Sequence, residues 1–109
     1  MIYEYRTYEV VPGRMVDLHA RFRDHTLRLF ARHEIVPVAF FTPRLGGASD
    51  QLIYILAFSD LAHRERAWAA FEADPEWQRA KSDSEGDTGP LVVRVRAEIF
   101  APTDYSPLQ

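Results

Sequence analysis

Four histidines, five tyrosines and twelve arginines carry most of the chemistry that this sequence offers. Histidine is the side chain whose ordinary pKa lies nearest neutrality, so His19, His25, His33 and His63 are the natural candidates for proton transfer. A phenol brings a hydroxyl that needs a partner when it is buried. Tyr3 and Tyr5 stand two apart, as same-face neighbours on a strand, and Tyr54 falls in a later strand-like run. With His19, His25 and Trp68 they form the candidate lining of an aromatic cavity with polar tips, suited to a small aromatic or apolar ligand. Ordinary core packing with satisfied hydroxyls is the competing reading. A second group, Glu4, Arg6, Arg94, Arg96 and Glu98, places both charge signs along two strands. It reads as a cross-strand ion lattice at a subunit face. An anionic substrate held by the same arginines is the alternative.

Other chemistries lack their residues. With no cysteine there is no disulfide, thiolate zinc site or cysteine nucleophile. Neither HxH nor HExxH occurs, and His25 and His33, on one helix, are about 12 Å apart by helical rise, too far to share an ion. No metal and no cofactor is therefore expected. Gly46-Gly47 reads as a turn, and Ser82 and Ser84 lie in no nucleophile elbow or phosphate loop. His33 reads as a last-turn residue facing the end of its own helix, and His63 as a solvated residue. A net charge of -3 supplies no basic field for nucleic acid or an anionic membrane. No apolar run approaches the ~20 residues of a membrane helix. Without a leader-like segment before the first strand pattern, cytoplasmic residence is expected.

These residues need elements to hold them. Residues 2–10, rich in Tyr, Ile, Val and Thr, read as a strand. Its faces are Ile2, Glu4, Arg6, Tyr8 and Tyr3, Tyr5, Thr7, Glu9, neither purely apolar; the second is assigned to the helix side. Residues 14–33 predict one amphipathic helix. Met15, Leu18, Phe22, Thr26, Leu29 and Phe30 fall in a stripe about 120° wide, with Arg14, Asp17, Arg21, Arg28 and Arg32 mostly outside it. Residues 35–42 read as a strand, Pro37 suggesting an edge. Residues 51–59 read as another, apolar on both faces. Asp60 caps a helix to about residue 73, and Asp74-Pro75-Glu76 starts a short one anchored by Trp77 and Ala80. Residues 81–90 read as a mobile loop. The last strand, residues 91–100, has one apolar face (Leu91, Val93, Val95, Ala97, Ile99).

The order βαββαβ predicts an α+β, ferredoxin-like antiparallel sheet with both helices on one face, over residues 1–102, and an extended tail at 103–109. The opposite face would carry Arg94, Arg96 and Glu98, with Glu4 and Arg6 beside them and large apolar groups such as Phe100. Soluble monomers rarely leave such a face bare, so a two-fold homodimer is expected.

The chain resembles the NIPSNAP family, within the wider group of dimeric α/β barrels. The likeness is carried by Ile2-Tyr3-Glu4-Tyr5-Arg6-Thr7-Tyr8 followed by Pro12-Gly13-Arg14, by Phe22-Arg23-Asp24-His25-Thr26 through Arg32-His33, and by Asp74-Pro75-Glu76-Trp77. The family pattern favours glycine where Glu34 stands, and a glycine and a tryptophan near Ala39 and Phe41. The resemblance implies a ferredoxin-like dimer with no obligatory cofactor, and no established reaction. Some relatives in the wider group are cofactor-independent monooxygenases, isomerases or haem proteins. Three functions are thus in view. The first is a small-ligand binding protein of undefined activity with its pocket between sheet and helices. The second is a cofactor-independent monooxygenase or isomerase, with His19 or His25 as base and Tyr3, Tyr5 and Tyr54 holding an enolate. The third is an interaction protein without chemistry.

Overall fold

A computed structural model describes all residues 1–109. Along the chain run β1 (Ile2–Val10), α1 (Met15–Arg21), a π-helical turn (Phe22–Thr26), α2 (Leu27–Arg32), β2 (Val36–Phe41), β3 (Gln51–Phe58), α3 (Leu61–Ala73), α4 (Pro75–Glu85) and β4 (Val92–Phe100). The strands form one antiparallel sheet in the order β2-β3-β1-β4. This is the ferredoxin-like α+β arrangement expected from the sequence. No helix is long and apolar enough to cross a membrane.

Register decides which side chains meet the helices. Glu4, Arg6 and Tyr8 pair with Leu56, Tyr54 and Leu52. Tyr54, Leu56 and Phe58 are fully buried beneath the helices, and Glu4 is buried with them. The face of β1 that carries Glu4 and Arg6 is thus the helix face. Tyr3 and Tyr5, opposite Ala57 and Ile55, lie on the open face. The sequence-based assignment of β1 was the reverse, and strict alternation carried the error to every residue of the strand. Neither face is apolar enough to choose by hydrophobicity. A buried carboxylate is tolerated only when hydrogen-bonded and paired, and helix α3 supplies those partners to Glu4.

On β4 the expectation holds. Val95, Ala97 and Ile99 pair with Tyr8, Arg6 and Glu4 and so face the helix side, whereas Arg94, Arg96 and Glu98 pair with Glu9, Thr7 and Tyr5 on the open face. The helices leave β4 uncovered, however: Val95 is 44% and Ile99 40% exposed. That gap is the mouth of a cavity.

Residues 14–33 form a helix that is not regular throughout. At the π turn the Leu27 amide bonds back to the Phe22 carbonyl, and the Thr26 hydroxyl donates to the Arg21 carbonyl at 3.3 Å. A π turn holds one residue more than an α turn and resets the helical phase. Arg21, which precedes the π turn and lies outside the ideal stripe, is buried against Trp77 and Ser84 of α4. The caps read from sequence are present: Asp60 accepts from the His63 amide at 2.7 Å, and Asp74 accepts from the Glu76 amide at 2.9 Å. Helix α4 runs on through Glu85 to Gly86 at φ 56°, so residues 81–85 are helix and not loop. The core centres on Leu18, Leu29, Phe30, Leu56, Phe58 and Phe71. His33 caps α2 and reaches across to α4, its Nε2 lying 2.7 Å from Asp74 Oδ2. His63 is no bystander either. The Ser59 amide donates to its Nδ1 at 3.0 Å, which leaves Nε2 to donate to the Glu34 carbonyl at 2.9 Å.

Candidate functional site

Between α1–α4 and the β1–β4 edge of the sheet lies an open cavity of about 590 Å³. Its walls are Phe22, Phe30 and Phe71 with Trp68 and Trp77, the chain's two tryptophans, and its floor is Tyr8 and Arg6. The volume falls within the ~300–1,000 Å³ of small-molecule sites, and apolar walls with a few polar groups are their usual make-up.

A polar spine runs under this cavity. Glu4 Oε1 accepts from Arg64 Nε at 2.7 Å and from the Trp68 indole at 2.9 Å, and Glu4 Oε2 accepts from Arg6 Nη1 at 2.6 Å. Arg6 Nε donates to the Tyr54 hydroxyl at 2.8 Å, and its guanidinium stacks 4.4 Å from the centre of the Trp68 ring. Tyr54 donates in turn to the Tyr8 hydroxyl at 2.7 Å. With one proton per phenol, each link fixes the next. Tyr8 accepts from Tyr54, so its own proton is free to point at the cavity it lines.

The electrostatics follow from burial and partners. Burial alone would push the Glu4 carboxyl up, but hydrogen bonds from Arg64, Trp68 and Arg6 and the Arg6 charge outweigh it and hold it below the ordinary value. Burial also disfavours the Arg6 cation, yet the phenolic oxygens of Tyr54 and Tyr8 and the Glu4 carboxylate raise its pKa, so it stays charged. Burial pushes the Tyr54 phenol well up. At the other wall Arg21 is 7% exposed and its guanidinium lies 5.2 Å from the centre of the Trp77 ring. It hydrogen-bonds through Nη1 to Ser84 Oγ at 3.2 Å, while its buried Nε has no partner. Burial lowers its pKa.

The residues singled out from sequence scatter. Tyr54 and Trp68 meet at the cavity, Trp68 in its wall and Tyr54 beneath it. Tyr3 is on the open face, its hydroxyl donating to the Gln109 carbonyl at 2.6 Å, and Tyr5 packs edge-on against Phe100 there. His19 lines a second, shallower depression of about 310 Å³ with Phe22, Leu27 and Phe40. His25 lies beside Arg28, away from both hollows. No histidine lines the larger cavity. Glu4 and Arg6 belong to the spine, not to a subunit face. Arg94, Arg96 and Glu98 stay exposed on the open face, where Arg94 is 3.9 Å from Glu9 and Arg96 is 3.8 Å from Glu98. Sequence reasoning missed Tyr8, Arg21 and Trp77 as site residues. Tyr8 was legible in principle, because Glu4, Arg6 and Tyr8 alternate on one face. Arg21 was not, because it lies off the apolar stripe of its own helix and is buried only by Trp77 and Ser84 of α4.

A ferredoxin-like sheet with one helix-covered face and a spine-floored cavity at its uncovered edge defines the class. The NIPSNAP family model matches residues 3–107, and the chain belongs to that family. It is 28% identical over 76 residues to the mouse protein NipSnap homolog 3B, covering 70% of this chain and 30% of that one. It is 27% identical over 78 residues to human NipSnap homolog 3A, covering 72% and 31%. The match thus spans about a third of the length of these curated relatives. A crystal structure of a NIPSNAP family protein with unknown function from Agrobacterium tumefaciens is 28% identical with a TM-score of 0.86, covering 100% of this chain and 94% of that one. A putative antibiotic biosynthesis monooxygenase from Nitrosomonas europaea, 13% identical with a TM-score of 0.58 over 94% of this chain and 98% of that one, shares the fold alone.

Proposed function

We propose that this chain binds a small, flat, largely apolar ligand in the cavity between sheet and helices, and that it does so as a homodimer. The observation that carries the first half is the cavity's make-up: five aromatic walls around a phenol whose oxygen already accepts from Tyr54, which leaves its own proton for a ligand. Aromatic walls bury a flat ring well, and an oriented hydroxyl fixes which way round it enters. The test is native mass spectrometry of protein purified gently from its own host. The expected result is a dimer carrying an added small mass that denaturation releases. A bare polypeptide mass, with no thermal shift from a panel of flat aromatic compounds, would refute the reading.

The second half rests on the open face. Phe41 and Phe100 there are 54% and 49% exposed, and Ile53, Ile55 and Tyr5 lie between them in the register. Arg94, Arg96, Glu9 and Glu98 flank this apolar strip with both charge signs, as self-complementary two-fold packing requires. Light scattering is expected to give twice the 12.6 kDa chain mass, and Arg94→Glu with Arg96→Glu to halve it. A double variant that stays dimeric would place the contact elsewhere. Cytoplasmic residence is part of the same reading, and cell fractionation checks it.

Cofactor-independent monooxygenase or isomerase chemistry is the second reading. Tyr8 favours it, as a donor able to stabilise an enolate oxygen. The histidine base expected for it is not at this cavity, so binding without turnover is preferred.

A further inference from the structure

We infer that the ligand of this cavity is an acid, an aromatic or apolar carboxylate whose head group is received by the Nε–Nη2 edge of Arg21 and by the Tyr8 hydroxyl. The inference rests on the cavity being the binding site.

Charge balance comes first. Three guanidiniums, Arg6, Arg21 and Arg64, surround the spine and the inner wall, and one carboxylate, Glu4, is buried among them. Glu4 engages Arg6 and Arg64 and leaves Arg21 out. Glu65, which also pairs with Arg64, is on the exposed side of α3. At the mouth stand Lys81, Glu72 and Glu85, and the Glu85 charge favours the Arg21 cation without a hydrogen bond to it. Arg21 is thus a buried guanidinium with no carboxylate hydrogen-bonded to it, its partner within the chain being Ser84.

Hydrogen-bond geometry comes second. Arg21 is more than nine-tenths buried, bonds within the chain through Nη1 to Ser84, and holds its Nε dry and unpaired. A buried donor without an acceptor costs free energy, and an entering acceptor removes that cost. The edge left over is Nε with Nη2, the planar fork that matches a carboxylate with two parallel bonds. Trp77 stacks against the same guanidinium, which fixes its plane. The Tyr8 hydroxyl, already accepting from Tyr54, adds one inward donor and no competing acceptor role.

Placement of the ring comes third. Trp68 meets Phe71 edge to face at 5.6 Å, and Phe71 lies tilted by 34° against Trp77 at 4.6 Å, so the three rings form one wall. An acid anchored at Arg21 would lay its apolar body along them, toward the uncovered Val95 side of β4.

The test compares 2-naphthoate with its neutral isostere 2-naphthamide by isothermal titration calorimetry on the full chain. The expected result is an acid preference of about tenfold or more, as charge-assisted bidentate bonds are the strong ones. In Arg21→Gln that ratio should fall to near one with the amide's affinity kept, and in Arg21→Lys, which keeps charge but loses the fork, it should shrink. Equal affinity of acid and amide for the unaltered protein overturns the inference and leaves the binding reading standing. Binding of neither overturns both. A preference undiminished in Arg21→Gln or Arg21→Lys overturns the role of Arg21. The comparison on the unaltered protein needs no variant to fold.

Discussion

Glu4 is the residue on which the sheet and the helices agree. It is fully buried, and its two oxygens accept from Arg64, Trp68 and Arg6. Removing one partner of a buried ionic group strands the others, which costs about 3–5 kcal/mol. Glu4→Ala is therefore expected to lower unfolding free energy by about that much in urea, whereas a loss below ~1 kcal/mol would mean that water replaces the carboxylate at little cost. Glu34 sits at the other extreme. Its φ of 61° lies in the left-handed region, where side chains with a Cβ are strained and glycine is not. Its carbonyl is held by His63, so the conformation is enforced from outside. Glu34→Gly is expected to raise stability by up to ~1 kcal/mol in a urea or thermal melt, the relief of strain being partly cancelled by the freer unfolded chain. A clear loss would show that the Glu34 side chain matters more than its backbone.

At the scale of elements, the start of α4 is a docking point. Asp74 caps that helix, accepts from His33, and pairs with Arg32 at 3.1 Å, while Glu76 pairs with Arg28 and Arg32. The His33 hydrogen bond, the Glu76 amide and Arg32 hold the Asp74 carboxyl down at about 2, against an ordinary 3.8. A carboxyl depressed in the folded state stabilises above its unfolded pKa, and that stability is lost as pH falls through the folded value. The stability gap between the parent and Asp74→Asn is expected to be full at pH 5 and to close toward pH 2, as read from urea midpoints. Asparagine still caps, so the gap isolates the charge. A gap unchanged with pH would remove the ion pairs from the account. This junction was legible in the sequence, because Asp-Pro-Glu is a local signal that needs no tertiary partner. So were the element order βαββαβ, the antiparallel sheet it implies and the Asp60 cap. Two features were not. The facing of β1 depends on a salt bridge to Arg64, some sixty positions away, and no pattern within the strand records it. The burial of Arg21 depends on Trp77 and Ser84 of α4, more than fifty positions away, which no pattern within its own helix records. Both errors fell on residues of the candidate site, which explains why Tyr3, Tyr5 and the histidines were named ahead of Tyr8 and Arg21. Sites break local rules because burying charge and bending helices cost stability that ordinary elements avoid.

At the scale of the whole molecule, two faces of one sheet are given different tasks. The helix side closes a core over β3 and stops short of β4, leaving a walled cavity with a charged floor. The open side carries the apolar strip proposed to meet a second copy. Fold and family alone leave the ligand open, since many chemistries share this architecture. The cavity's own groups narrow it. The chain's two tryptophans both line that cavity, so a ¹H–¹⁵N spectrum has two indole signals, each a direct reporter. The measurement that tests the central claim is a titration of 2-naphthoate followed on those two signals. The account expects both Trp68 and Trp77 to shift together and to saturate, the Trp68 proton keeping its bond to Glu4. Shifts confined to residues around His19 and Phe40, or no saturable shift in either indole, would contradict it.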